Sequence, residues 1–297
     1  MIVSSRIKGM LMVLSSAIFW GGSGVVAQFL FQQQGVSVEW LVAVRLLLTG
    51  LILLGFVAIK ERDLVFAVWK DRFSRVPLLL LSIFGMIGMQ YTFFAAIESG
   101  NAATATVLQY LAPVLVVLYM TFRSKAKPSI KEMVAVLLSV LGTFFLVTGG
   151  NPLELSISRS AVFWGLSSAV ALAFYTVYPI GLLKRWGVLV VIGWGMTLGG
   201  IGFSFVHPPW KYEGSFSLAT FAGVGFVIIF GTLIAFYLYS ESLHYLTASE
   251  TSLLACVEPL SAVFLSVIIL NVDFGMGEWI GTICIIATVL MLSRSKK

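Results

Sequence analysis

The chain has 297 residues, of which 59% are hydrophobic and only 11% are charged, and its net charge is +6. Because an average soluble domain carries about 25% charged residues, this composition excludes a soluble globular protein and indicates an integral membrane protein. A basic chain can bind nucleic acid, but the placement of the charges along this one favours another explanation.

Ten apolar runs of about twenty residues follow one another with short connections, and this length spans a bilayer as a helix. Because the runs do not alternate polar with apolar residues, they favour helices over a β-barrel. We therefore predict an all-α membrane protein with ten transmembrane helices. In chain order the predicted helices cover residues 9–31, 38–59, 77–97, 102–122, 132–149, 161–182, 188–206, 219–241, 248–270 and 278–293.

Lysine and arginine predict the orientation. With the N-terminus in the cytoplasm, 16 of the 19 Lys and Arg residues fall on cytoplasmic segments; only Arg159 and Lys211 fall outside, and Arg45 lies within a helix. The positive-inside rule then predicts a multi-pass protein of the cytoplasmic membrane with both termini in the cytoplasm. It also accounts for the net charge without a nucleic-acid partner, since basic residues contact anionic headgroups.

A shift of 146 residues aligns the two halves of the chain. It places Pro113 on Pro259 and Glu132 on Glu278 without a gap. Both prolines stand in the middle of an apolar run, where they are predicted to bend the helix. Since a five-helix unit contains an odd number of spans, its copy must be inverted. We predict two inverted repeats, residues 1–150 and 151–297, a plan typical of secondary transporters.

Glu258 is the first candidate functional residue. It lies about 15 Å from the cytoplasmic end of its predicted helix, near the middle of a core about 30 Å thick. Ionisable groups at this depth usually serve function, so Glu258 could couple protons to transport or bind a substrate amine. Alternatively, it bridges helices and satisfies the carbonyl left free by Pro259. Its counterpart in the first repeat is Ala112.

Arg45 is the second charged candidate, about 10 Å from the outer end of its predicted helix. Three roles stay open for its guanidinium. It could neutralise Glu258 or Glu98, it could bind a substrate carboxylate through two hydrogen bonds, or it could extend to the outer headgroups.

Other polar and aromatic side chains at depth are predicted to line a central cavity suited to an apolar or aromatic substrate. Each could instead serve helix packing with its polar group satisfied. These candidate substrate-binding residues are Trp20, Gln90, Thr106, Gln109, Tyr110, Tyr175 and Tyr237.

Sequence motifs of other protein classes are missing. There is no Gly-rich phosphate loop, no zinc-binding His or Cys motif, and no nucleophile turn. Cys256 and Cys284 both lie in apolar runs and are interpreted as buried thiols. We therefore predict no enzyme activity, no cofactor and no metal site.

The chain resembles the EamA-type family of the drug/metabolite transporter superfamily over essentially its whole length. The similarity depends on the two five-helix halves, Phe19-Trp20-Gly21, Arg45, Pro113 and Glu258-Pro259. It implies ten helices, cytoplasmic termini, a cavity between the halves and export of amino acids or other small metabolites by alternating access. Tyr175-Thr176 stands where the family often has a tryptophan, which leaves the contribution of the sixth helix open.

The predicted function is a secondary transporter that exports amino acids or related small metabolites. Proton coupling and facilitated diffusion both stay open. The alternatives are an uptake permease for a vitamin or small solute and, in another class, a membrane scaffold or sensor that does not transport. The predicted partners are a small-molecule substrate and the lipid bilayer, and the oligomeric state is left open.

Overall fold

The structure is a computed structural model that describes residues 5–124, 129–151, 155–246, 251 and 254–293. The described residues form helices joined by turns and loops, without β-strands. The helices are α1 (Ser5–Gln32), α2 (Val38–Lys70), α3 (Arg72–Leu80), α4 (Gly88–Ser99), α5 (Ala102–Gln109), α6 (Ala112–Ser124), α7 (Ile130–Thr148), α8 (Arg159–Val177), α9 (Ile180–Trp186), α10 (Val188–Phe203), α11 (Leu218–Ile228), α12 (Ala235–Ser242), α13 (Val257–Leu270) and α14 (Met276–Ser293). Two π-helical segments, π1 (Leu81–Ile87) and π2 (Ile229–Ile234), join α3 to α4 and α11 to α12.

Within the described part of the chain, seven stretches are long and apolar enough to cross a membrane. An eighth would be the pair α9 and α10, which is bent by 119° at Gly187, and α13 and α14 are shorter apolar helices. All ten predicted runs contain helix, so the all-helical class is confirmed. The count of ten spans stays a prediction, because residues 247–250 and 252–253 of the ninth run and both chain ends lie outside the described residues.

Small polar residues start several helices by accepting a free backbone N–H in the first turn. Ser37, Asn101, Ser158 and Ser217 cap α2, α5, α8 and α11 in this way. Ser129 and Glu132 cap α7 reciprocally as a capping box. Glu132 therefore has a local structural task.

The two halves of the chain interlock. α1 packs against α11, α12 and α13 of the second half, and α8 packs correspondingly against α4, α5 and α6 of the first half. α7 and α14 cross closely, because a Cβ added to Gly142 would lie 2.9 Å from the carbonyl oxygen of Gly281. At the position related by the 146-residue shift, the hydroxyl of Thr288 donates to the carbonyl of Ala135 at 3.4 Å. The halves thus exchange equivalent contacts.

Irregular backbone recurs at the same place in each half. The fourth run breaks at Tyr110 (φ −68°, ψ 2°), and the ninth breaks at Cys256 (φ −63°, ψ −5°), 146 residues later. The segment π1, shifted by the same 146 residues, overlaps π2. Each half therefore repeats one helix break and one π-turn, although only the prolines next to the breaks are visible in the sequence.

At the end of the bundle where α1 finishes, hydrogen bonds join the loop after α1 to the segment around the start of α11. The side-chain oxygen of Gln34 accepts hydrogen bonds from the hydroxyls of Ser215 (2.6 Å), Thr220 (3.0 Å) and Ser217 (3.1 Å). The Gln34 carbonyl also accepts from the Ser215 N–H at 2.8 Å. These four residues are called the Gln34 clasp.

At the opposite end, α3 and α9 are joined by charge. Arg185 pairs with Asp71 at 2.8 Å, and the indole N–H of Trp186 donates to the hydroxyl of Ser74. The hydrogen bond from Ser74, helped by the Phe73 N–H and by Arg185, holds the pKa of Asp71 below its ordinary value.

Candidate functional site

A cavity of about 440 Å³ lies between the two halves of the chain. Both helix breaks and π2 contribute side chains or backbone to its wall. Its lining extends toward the end of the bundle where α1 begins, through Val188 at the start of α10 and Leu243 just after α12. The other lining residues are Trp20, Ser23, Arg45, Met89, Gln90, Phe93, Gln109, Tyr110, Pro113, Leu172, Tyr175, Gly231, Phe236, Tyr239, Ser240, Ala255, Glu258 and Val289.

Glu258 is held at the break of the ninth run. The hydroxyl of Tyr110 lies 2.9 Å from Oε2 of Glu258 and 3.0 Å from the carbonyl oxygen of Ala255. In an uninterrupted helix the N–H of residue 259 would donate to that carbonyl, but Pro259 has no N–H. The hydroxyl of Tyr110, which comes from the break in the first half, therefore lies within hydrogen-bond distance of both the Glu258 carboxyl and the carbonyl that Pro259 leaves without a donor.

Gly21 brings α1 against this same turn. A Cβ at Gly21 would lie 2.7 Å from the carbonyl oxygen of Glu258 and 2.9 Å from the nitrogen of Ala262. Only glycine fits this crossing without a shift of backbone. The next residue toward the N-terminus, Trp20, packs its ring edge-on against Phe236, with 5.4 Å between the ring centres. Its ring also packs against Tyr239, with 5.3 Å between the centres. α1 thus places an aromatic wall beside Glu258.

Arg45 is 7% exposed and is held by π2 rather than by an acid. Its Nε donates to the hydroxyl of Thr232 at 2.8 Å, and its Nη2 donates to the carbonyl of Gly231 at 3.3 Å. The Thr232 hydroxyl in turn donates to the Val227 carbonyl at 2.9 Å, as the wider π-turn permits. Arg45 also lies over the ring of Phe94, 5.0 Å from its centre.

No carboxylate in the described part of the chain lies within ion-pair distance of Arg45. It pairs with neither Glu258 nor Glu98 there, and its burial shows that it does not extend to the outer headgroups. A buried guanidinium without an anion is costly. In this cavity it therefore offers a ready site for a carboxylate.

Gln90 and Gln109 add amide groups to the cavity wall. Gln90 is 3% exposed, and its Nε2 has no hydrogen-bond partner among the described residues. Gln109 is also buried, and its carbonyl is the one that Pro113 leaves without an N–H partner. Both side chains are positioned to hydrogen-bond a polar ligand.

The structure brings most of the predicted site residues together. Trp20, Gln90, Gln109, Tyr110, Tyr175 and Glu258 all line the cavity, together with Arg45 and Pro113. Two do not. The hydroxyl of Thr106 donates to the Ala102 carbonyl within its own helix, and Tyr237 is 60% exposed on the outer face of α12. Pro259 is buried behind Glu258 and acts only through the backbone it interrupts.

Sequence reasoning missed two parts of the site. Phe236, Tyr239 and Ser240 of α12 and Leu243 just after it recur at helical spacing, and they line the cavity in place of Tyr237. That spacing could have been recognised in the sequence. The role of Gly231 and Thr232, the partners of Arg45, could not be predicted. It depends on a π-turn that no residue pattern indicates.

Comparison with known proteins agrees with this architecture. Residues 7–148 and, separately, residues 159–294 match the EamA-like transporter family. An uncharacterized inner membrane transporter of Salmonella typhimurium, YicL, is 40% identical over 299 residues, which cover 99% of this chain and 98% of that protein. An uncharacterized transporter of Bacillus subtilis, YetK, is 26% identical over 96% of this chain and 86% of its own.

A solved crystal structure shares the fold, with a TM-score of 0.64 at 17% identity over 96% of both chains. The two successive family matches confirm the predicted resemblance and its two repeats. Family and relatives indicate a membrane transporter rather than an enzyme. The chain belongs to the EamA-like transporter family.

Proposed function

We propose that this protein is a secondary transporter that exports amino acids or related small metabolites across the cytoplasmic membrane. The observation that carries this proposal is the chemistry of the central cavity. Its wall presents one buried cation, Arg45, and one carboxylate, Glu258, together with several aromatic side chains. Its volume of about 440 Å³ suits a single small ligand.

The polar groups support a zwitterionic substrate. The planar guanidinium of Arg45 can hold a carboxylate through two hydrogen bonds, and the unpartnered amide of Gln90 can add a third. Glu258 can accept the substrate ammonium. Trp20, Tyr175 and Tyr239 offer apolar rings to a side chain of the substrate.

Alternating access accounts for the two unlike ends of the cavity. The lining continues to the end where α1 begins, whereas at the other end the hydrogen bonds of the Gln34 clasp join the two halves. If basic residues face the cytoplasm as predicted, the cavity is reached from inside and export requires the clasp to open. The halves 1–150 and 151–297 would rock against each other about the breaks beside Pro113 and Pro259.

A proton gradient is the energy source that this site supports, since the sequence has no phosphate loop for ATP. Glu258 can carry a proton in one state and bind an ammonium in the other. A scaffold or sensor would be expected to pack its centre at Trp20, Gln109 and Glu258, yet these residues line a cavity. Uptake instead of export remains an outcome of the transport assay.

The test is transport by purified protein in proteoliposomes against a panel of amino acids, nucleosides and organic cations, with and without a pH gradient. We expect counterflow of at least one zwitterionic substrate and accumulation driven by the gradient. Glu258→Gln should lose the response to the gradient. The matched control is Glu213→Gln, which removes an exposed carboxylate beside His207 and should behave as wild type. Absence of counterflow for every compound would overturn the proposal.

A further inference from the structure

We propose that Tyr110 is a positioning residue that transmits the protonation of Glu258 to the helix break at Ala255. The inference rests on proton coupling through Glu258, as proposed above, and adds the route by which the proton changes the backbone. It follows from a mismatch in hydrogen bonding at the centre of the molecule.

The hydroxyl of Tyr110 has one hydrogen atom but two acceptors at similar distances. Oε2 of Glu258 is 2.9 Å away, and the carbonyl oxygen of Ala255 is 3.0 Å away. A tyrosine hydroxyl can donate only once, although its oxygen can also accept. The protonation state of Glu258 therefore decides which of the two oxygens receives the hydrogen.

When Glu258 is ionised, its carboxylate is the stronger acceptor, and Tyr110 donates to it. The Ala255 carbonyl then has no donor from residue 259, because that residue is proline. When Glu258 takes up a proton from the cavity, the carboxyl O–H donates to the oxygen of Tyr110. The tyrosine hydrogen rotates to the Ala255 carbonyl, so the tyrosine neither gains nor loses a proton. Uptake of one proton thus forms a hydrogen bond between Tyr110 of the first half and the Ala255 carbonyl at the break in the second half.

The two breaks of the molecule meet at this hydroxyl. Tyr110 is itself the residue at which the fourth run breaks, and Ala255 precedes the break at Cys256. α1 contacts the same turn at Gly21, where an added Cβ would lie 2.7 Å from the carbonyl oxygen of Glu258. A change of hydrogen bond at Tyr110 therefore acts on helices of both halves, as alternating access requires.

The surroundings leave few other groups to carry this signal. Among the described residues, the titratable groups that interact with Glu258, besides Tyr110, are Tyr239 of α12 and Cys256 beside the break. On the described part of α1, Trp20 and Gly21 lie at this site, and neither titrates. Two N–H groups of Arg45 donate to Thr232 and Gly231, and within the described residues Arg45 makes no ion pair with Glu258.

Transport gives the first test. In proteoliposomes, the ratio of substrate accumulation with a pH gradient to accumulation without one is measured for wild type and for Tyr110→Phe, which keeps the ring and removes the hydroxyl. We expect this ratio to fall toward one, by at least about fivefold. This factor corresponds to the free energy of one ordinary hydrogen bond. The matched control is Tyr237→Phe, which removes a hydroxyl from the exposed face of the neighbouring helix. A Tyr110→Phe ratio equal to that of wild type would overturn the inference.

Infrared difference spectra between acid and alkaline buffer give a test that does not depend on transport or on the folding of the phenylalanine variant. In wild type we expect a carboxyl band that is absent in Glu258→Gln, accompanied by a change in a tyrosine C–O band. In Glu258→Gln the tyrosine band should no longer respond to pH. A tyrosine with a purely structural role would give a band unaffected by pH in wild type.

The two tests separate this inference from the proposed function. If wild type neither accumulates substrate with a gradient nor shows a Glu258 carboxyl band, proton coupling itself is wrong. If both are present but the tyrosine band does not move, only the role of Tyr110 is overturned.

Discussion

The two halves of the chain interrupt their helices at equivalent positions but carry different charges beside the interruptions. Tyr110 and Cys256 have nearly the same backbone angles, 146 residues apart, and each precedes a proline by three residues. Yet Glu258 corresponds to Ala112, and Arg45 corresponds to Val191. Each half therefore contributes one charge to the cavity, and neither charge is repeated.

This difference separates the framework from its chemistry. Breaks, π-turns and glycine crossings allow helices to move or approach, and both halves need them for a symmetric rearrangement. A ligand with unlike ends needs unlike partners, and two copies of the same charge would repel each other in one cavity. Repetition of the backbone with asymmetry of the charges is what a site for a zwitterion requires.

The largest effect should come from breaking this charge asymmetry at Arg45. Arg45→Gln should weaken binding of a carboxylate-bearing substrate by about 2 kcal/mol or more, roughly 30-fold in affinity, since a buried charged partner is lost. Arg45→Lys should retain only part of the wild-type affinity, because an ammonium group lacks the planar donor geometry of the guanidinium. Affinity is measured by scintillation proximity or by quenching of tryptophan fluorescence.

The control for Arg45 is its counterpart in the second half. Val191→Ala alters a fully buried residue at the equivalent position but removes no charge. It should leave the preference for an amino acid over its decarboxylated amine unchanged. If Arg45→Gln also leaves this preference unchanged, Arg45 does not bind the substrate carboxylate.

The second prediction compares the two prolines. Pro259→Ala restores an N–H that competes with Tyr110 for the Ala255 carbonyl, so the gradient-driven component of transport should fall by about fivefold, the effect of one hydrogen bond near 1 kcal/mol. Pro113→Ala restores a donor to the Gln109 carbonyl, where no acid is involved. It should slow turnover while leaving the pH dependence unchanged. Equal effects of both variants on pH dependence would contradict an asymmetric role of the breaks.

The third prediction concerns how α1 and α8 cross the other half, and it is measured as stability rather than transport. Gly21→Ala would press a Cβ against backbone atoms and should lower stability by about 1–3 kcal/mol. Gly165→Ala would instead meet the side chain of Leu108, whose far end can move, so it should cost less. Thermal unfolding in detergent, followed by tryptophan fluorescence, measures both.

Gly55→Ala is the reference for these two variants, since a Cβ there has nothing within 4 Å. It should unfold at the wild-type temperature. An unfolding temperature for Gly21→Ala equal to that of Gly55→Ala would show that the crossing at Glu258 is looser than its geometry implies.

Much of this architecture could be predicted from the sequence, for physical reasons. Long apolar runs can form few structures other than helices in a membrane, and a buried proline interrupts a helix. The helices and both breaks could therefore be predicted from the sequence. Glu258 and Tyr110 were accessible because polar groups at depth are costly. Their direct contact was not, since it joins residues 148 positions apart. The anchoring of Arg45 by Thr232 was equally hidden, because the two residues lie in different halves and a π-turn depends on packing.

The Gln34 clasp consists only of amide and hydroxyl groups. Such groups neither gain nor lose protons at physiological pH, and hydrogen bonds between neutral groups are not weakened by the screening that salt imposes on charges. The hydrogen bonds of the clasp are therefore insensitive to the acidity and salinity of the medium that this end of the protein faces. Under the proposed orientation, these hydrogen bonds hold the passage shut in a changing medium until a substrate bound from within favours its opening.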